Sequence, residues 1–209
     1  MLRAPVNPAD HELLRRMMAG DAGALEQLYE RHQGGIYRFA LRMSGSEAVA
    51  EDVTQDVFMA LMRDGNQYDP ARGPLQAYLY GMARHRVLRR LERDRAFVSI
   101  SDDQEDDAPV DAKLIVDNDP MEEMARNQTI ESVRHAISAL PVHYREVVVL
   151  CNLQEMNYED AATVIGCPVG TVRSRLHRAR AMLIDKLQTR RESGPISGTF
   201  NQARCAYEL

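Results

Sequence analysis

The sequence predicts an all-α protein: two small helical domains joined by a flexible acidic linker. Three observations carry this expectation. Apolar residues recur at three- and four-residue spacing through most of the chain, and no stretch alternates as a strand does. Apolar residues make up 44% of the 209 residues while aromatics supply 6% and Trp is absent, which suits a core of Leu, Met, Val and Ala. Charge is also concentrated. Residues 96–125 hold ten Asp or Glu against one Lys, so a chain of net −5 is acidic in one segment and mildly basic elsewhere.

In order along the chain, Leu25, Leu28, Tyr29, His32, Ile36, Ala40 and Met43 predict a helix from Ala24 to Met43, with Asp21 as its cap. After Ser44-Gly45-Ser46, Ser46 caps a second helix reaching Arg63. Val49, Val53, Val57, Ala60 and Leu61 share one face of it, and Asp52, Gln55 and Asp56 the other. The Gly- and Pro-rich residues 64–74 predict a loop. A third helix, Leu75 to Arg93, begins apolar and aromatic and ends basic. The connector that follows, with SDDQEDDAPVD and VDNDP, has too many like charges to bury apolar surface and is expected to be flexible.

Asp119-Pro120-Met121-Glu122 has the form of a helix start, and Met124, Ile130, Val133, Ile137 and Leu140 continue it to Pro141. Further helices are expected over Tyr144–Asn152, Asn157–Ile165 and Pro168–Leu187, with Gly166 as a left-handed stop between the last two. The expected division is 1–20 as an N-terminal segment, 21–96 and 120–188 as domains, 97–119 as linker and 189–209 as tail.

Several function classes are excluded on sequence. No apolar run reaches membrane-spanning length and the start lacks a signal-peptide core, so a cytoplasmic chain with no membrane insertion is expected. Cys151, Cys167 and Cys205 form neither a disulfide framework nor a metal knuckle. No metal-ligand cluster, phosphate loop or nucleophile elbow is present, so no catalytic residue, metal or cofactor is expected and the chain is not read as an enzyme.

The last two helices, joined at Gly166 with the second one basic, have the pattern of a helix-turn-helix. Val172, Leu176, Ala179 and Leu183 fall on one stripe of the final helix. Arg173, Ser174, His177 and Arg178 fall on or beside the opposite one, a small, hydrogen-bonding and cationic set suited to a major groove. A solvated basic face is the plain alternative.

The stretch LPVHYREVVVLCNLQEMNYEDAATVIGCPVGTVRSRLHRARAML closely resembles region 4 of extracytoplasmic-function sigma factors. The resemblance implies a −35 promoter-binding lobe that also contacts the polymerase β flap, with base reading by Arg173, Ser174 and His177 and phosphate contact by Arg175 and Arg178. The first lobe resembles sigma region 2. AEDVTQDVF (Ala50 to Phe58) is similar to the family segment that binds the β′ clamp helices, which assigns core polymerase binding to Asp52, Gln55, Asp56 and Phe58. The third helix, RGPLQAYLYGMARHRVLRRLERDR, resembles the part that opens and reads the −10 element. There Tyr78 and Tyr80 are expected to offer faces to unstacked bases, and Arg84, His85, Arg86, Arg89 and Arg90 to contact DNA. The adjoining loop, Gln67 to Leu75, is the expected pocket for a flipped base. The sequence departs from the family at Tyr78 (commonly Trp), Leu75 (commonly Phe) and His85 (commonly Asn).

The expected function is therefore an alternative sigma factor that takes core RNA polymerase to promoter DNA and aids melting. An anti-sigma factor is expected as a further partner. The rival reading is an autonomous helix-turn-helix regulator, which would leave the Asp52/Gln55/Asp56 face without an evident partner.

Overall fold

A computed structural model describes the backbone of residues 9–98 and 120–192 and the side chains of 9–94 and 129–188. The described residues form helices α1 (Asp10–Met18), α2 (Ala22–Ser44), α3 (Glu47–Asp64), α4 (Leu75–Val98), α5 (Pro120–Ser138), α6 (Val142–Val148), α7 (Tyr158–Ile165) and α8 (Val169–Glu192), and no strand. Two short 3₁₀ turns, Gly65–Gln67 and Pro70–Arg72, occupy the predicted loop. The predicted linker from residue 99 and the tail from residue 193 lie outside the described residues.

Local chemistry sets the boundaries. The Asp21 side chain accepts from the Gly23 and Ala24 amides at the start of α2, and Ser46 accepts from Val49 N at the start of α3. Gly45 ends α2 in the left-handed region at φ 76°. The helix expected to run to Asn152 instead opens into a π turn over Val149–Leu153, where Gln154 N donates to Val149 O. That wider turn keeps Val149 and Leu150 buried and points Gln154 at the first lobe.

Helix α1 falls in residues expected to stand apart as an N-terminal segment. It packs on α2 through Leu13, Leu14 and Met17. Asp10 is bound by His32 Nε2 at 2.8 Å and by the Arg31 guanidinium, and these contacts, the His32 hydrogen bond first, hold its carboxyl below the usual range. Because the folded value lies below the unfolded one, this contribution is complete above the ordinary carboxylate pKa. It disappears as pH falls through the folded value. Asp10→Asn should cost about 1.5 kcal/mol at neutral pH, measured by urea unfolding, with the difference from wild type vanishing in strong acid.

The core is continuous through both lobes. Leu28, Ile36, Phe39, Leu61, Leu75 and Leu79 fill the first, and Leu140, Val147, Leu150, Val172 and Leu176 the second. The lobes meet where α7 packs on α4 and α5 packs on α2. Arg145 Nη1 crosses this boundary to donate to Met43 O at 2.6 Å. No described helix is long and apolar enough to cross a membrane.

Candidate nucleic-acid interface

In the second lobe, Asn157 caps α7 by accepting from Asp160 N, and Gly166 stops it at φ 76°, ψ 41°. The turn lets α8 leave at an angle with its apolar stripe inward: Val172, Leu176 and Ala179 are buried and Leu183 is half-buried. Arg173, Ser174, His177 and Arg178 are all exposed. The Arg173 guanidinium lies 5.8 Å from the centre of the Tyr158 ring, a cation–π contact that aims it outward. Ser174 Oγ donates to Thr171 O at 3.0 Å. Arg175 differs from its expected role in this conformation, being half-buried and donating to Glu146 Oε1 at 3.2 Å. A Cβ at Gly166 would meet no atom within 4 Å, so Gly166→Ala carries only the left-handed backbone strain. It should cost about 1–2 kcal/mol in a denaturation midpoint.

On α4 the expected residues separate. Tyr78 is half-buried with its ring 5.5 Å from Tyr68, and it joins His85 and Arg86 in lining a pocket of about 410 Å³ against the loop residues Gln67, Asp69, Arg72 and Gly73. The loop expected to form a base pocket lines a half-open cavity in the size range of small-ligand sites. Tyr80 does not offer a face here. It is 3% exposed, meets Phe39 edge-on at 5.5 Å, and donates its hydroxyl to Gln154 Oε1 at 2.8 Å. Burial pushes its pKa up to about 12. Its helical position put it on the core side, where Phe39 covers it.

Arg84 turns inward to Glu146 Oε2 at 2.7 Å. His85 and Arg89 are exposed, while Arg86 is half-buried and donates to Met82 O. Arg90 pairs with Asp52 at 2.6 Å, linking a residue expected at DNA to one expected at polymerase. Both partners are more than 40% exposed, so the pair contributes little and opens readily.

On α3, Asp52, Gln55 and Asp56 are exposed, whereas Phe58 is 4% exposed and stacks at a tilt on Tyr29. Beside them runs a groove of about 900 Å³ between α2 and α3, with Tyr29, Met59 and Met62 on its walls. All three are large exposed side chains; sequence reading placed Tyr29 on the periodic stripe of its helix and passed over Met59 and Met62, whose place on the polar side of α3 was the available signal. Glu146 and Tyr158 were also passed over. A lone Glu in the run EVVVL was the signal for the first. Burial raises the Cys151 thiol pKa, which favours its neutral form.

An exposed basic helix on a helix-turn-helix, joined to a second helical lobe, has the architecture of a DNA-binding transcription factor. Comparison with known proteins narrows this class. The Sigma-70 region 2 profile matches residues 28–97, and the Sigma-70 region 4 profile matches residues 130–183. The sigma factor SigM of Mycobacterium tuberculosis is 32% identical over 84% of this chain and 83% of its own. SigE of Mycolicibacterium smegmatis is also 32% identical, over 80% of this chain, which spans 64% of SigE's length. The structure of CnrH in complex with the cytosolic domain of CnrY aligns with a TM-score of 0.64 at 26% identity, covering 87% of this chain and 99% of CnrH. The chain belongs to the extracytoplasmic-function sigma factors of the sigma-70 family, the factors that direct RNA polymerase to promoters.

Proposed function

We propose that the chain joins core RNA polymerase through α3 and reads promoters with α4 and α8, contributing no catalytic step of its own. The outward set of α8 carries this reading: Arg173, Ser174, His177 and Arg178 are exposed together above a buried apolar stripe. That arrangement suits base edges for Arg173, Ser174 and His177, and phosphate for Arg178. On α3, the acidic Asp52/Gln55/Asp56 face beside an apolar groove suits the basic, partly apolar clamp helices of β′. The C-terminal lobe is assigned to the β flap and to −35 DNA. The loop pocket with Tyr78 and His85, together with Arg86 and Arg89, is assigned to the opened −10 strand.

Residues 21–96 and 120–188 are taken as the two functional units, working in the cytoplasm. Docked together on polymerase, they recognise DNA bivalently, so weak individual contacts add through effective concentration. CnrH was solved bound to the cytosolic part of CnrY. By analogy an anti-sigma polypeptide is the expected regulator here, and the α2–α3 groove with Tyr29, Met59 and Met62 is a suitable seat. The test is a titration of the labelled chain against bacterial core polymerase. Binding is expected in the roughly nanomolar range, weakened about tenfold or more by Asp56→Arg, which sets like charge against the clamp. Absence of core binding, with tight binding of the chain alone to duplex DNA, would make it an autonomous regulator.

A further inference from the structure

Methionine packs as an adaptable apolar side chain, yet its thioether takes up an oxygen wherever an oxidant can reach it. Reach divides the described methionines. Met43 is fully buried in α2, Met17 and Met156 are buried, and Met82 and Met182 are half-buried. Met59 is 55% exposed and Met62 is 42% exposed, one turn apart on α3. Together with Tyr29 they line the groove between α2 and α3, and Gln55 of the acidic face lines it as well. The fold does not use them. Val53, Val57, Ala60 and Leu61 are the buried side of this helix, so the two methionines give their apolar surface to whatever covers the groove. Met18 is 41% exposed at the end of α1 and stands outside that wall, which makes it an internal control.

We propose that Met59 and Met62 are oxidation sites through which hypochlorous acid weakens docking on core RNA polymerase. The inference rests on the reading of α3 as the polymerase-binding helix and adds a means of regulating that surface. In the reaction the sulfur gains one oxygen and gives up two electrons. The chlorine takes those electrons and leaves as chloride, and the remaining proton passes to water. The product is a sulfoxide, which sulfoxide reductases return to the thioether, so the change is reversible. It converts an apolar contact into a strong hydrogen-bond acceptor, and covering such a group under a partner shaped for a thioether is unfavourable. Because both side chains stand outside the core, the helices stay folded.

The experiment treats the full-length chain with graded hypochlorous acid and then with dithiothreitol, which returns cysteine sulfenic acids and disulfides to thiols. Peptide mass spectrometry records oxygen at each methionine, circular dichroism records helix, and binding of the labelled chain to bacterial core polymerase is titrated. Met18, Met59 and Met62 should take up oxygen before Met17, Met43 and Met156. The affinity of wild type should fall about tenfold, the scale of burying an unsatisfied polar group, and methionine sulfoxide reductases should restore it.

Met59→Leu/Met62→Leu removes both sulfurs at similar volume. Each protein is compared with its own untreated form, so a different starting affinity does not enter, and this pair should keep its affinity after treatment. Met18→Leu should lose affinity as wild type does. Met59→Gln/Met62→Gln, a lasting polar analogue, should bind more weakly than the leucine pair with no oxidant present. Wild type that carries oxygen at Met59 and Met62 and binds unchanged, or a leucine pair that loses affinity on treatment as wild type does, would overturn the proposal alone. Untreated wild type that does not bind core polymerase would overturn the reading of α3 and the proposal with it.

Discussion

Arg173→Ala should weaken recognition of the −35 sequence by about 10- to 100-fold, or about 1–3 kcal/mol, and flatten base preference at one position. Arg173 is exposed on the outward face of α8, and its guanidinium is already oriented over Tyr158, so its two-pronged donor geometry is partly arranged before DNA arrives. Arg173→Lys should recover little, because an ammonium cannot make the paired contact to a guanine edge. Arg178→Ala provides the contrast. It should weaken all sequences alike and reduce the slope of log affinity against log salt by about one. The measurement is competition binding of the polymerase-bound factor to duplexes randomised at −35, at two salt concentrations. An equal loss on every sequence for Arg173→Ala would exclude base reading by this residue.

Phe39→Ala should destabilise the chain by about 3–5 kcal/mol, a large part of the roughly 5–15 kcal/mol available to a folded domain. Phe39 is fully buried in α2, and its ring stands edge-on to Tyr80, which in turn reaches Gln154 of the other lobe. Truncation leaves a cavity lined by helices whose backbones cannot all close on it. It also loosens Tyr80, which ties α4 to Phe39 and to Gln154 of the other lobe. The loss should appear as a lower denaturant midpoint at unchanged slope, with Phe39→Leu showing a smaller loss. A cost below about 1 kcal/mol would mean that Phe39 is not held in a rigid core.

Much of the fold was legible because its signals are local. Asp21, Ser46 and Asn157 cap the helices they were expected to precede or begin, and Gly45 and Gly166 take the left-handed geometry that ends them. The stripes on α3 and α8 divide into buried and exposed sets as their spacing requires, since a 3.6-residue period assigns each side chain a direction. Helix α1 was not legible. Leu13, Leu14 and Met17 do share one face, but nine residues behind a Pro-containing start make a short pattern, and α1 is held by what these side chains and Asp10 touch on α2. The π turn at Val149–Leu153 likewise has no local signature, since it serves the burial of Val149 and Leu150.

The sequence by itself therefore determined the helices other than α1, the caps at Asp21, Ser46 and Asn157, the helix-turn-helix and the wording that places the chain among the sigma factors. Tertiary structure alone decided which functional side chains are free. Tyr80 lost its exposed face to Phe39, Arg90 found Asp52 across the first lobe, and Arg84 and Arg175 converged on Glu146 from opposite lobes. The reason is physical. Periodicity encodes which face of a helix avoids water, whereas the partner of a charge depends on which distant helix is packed against that face.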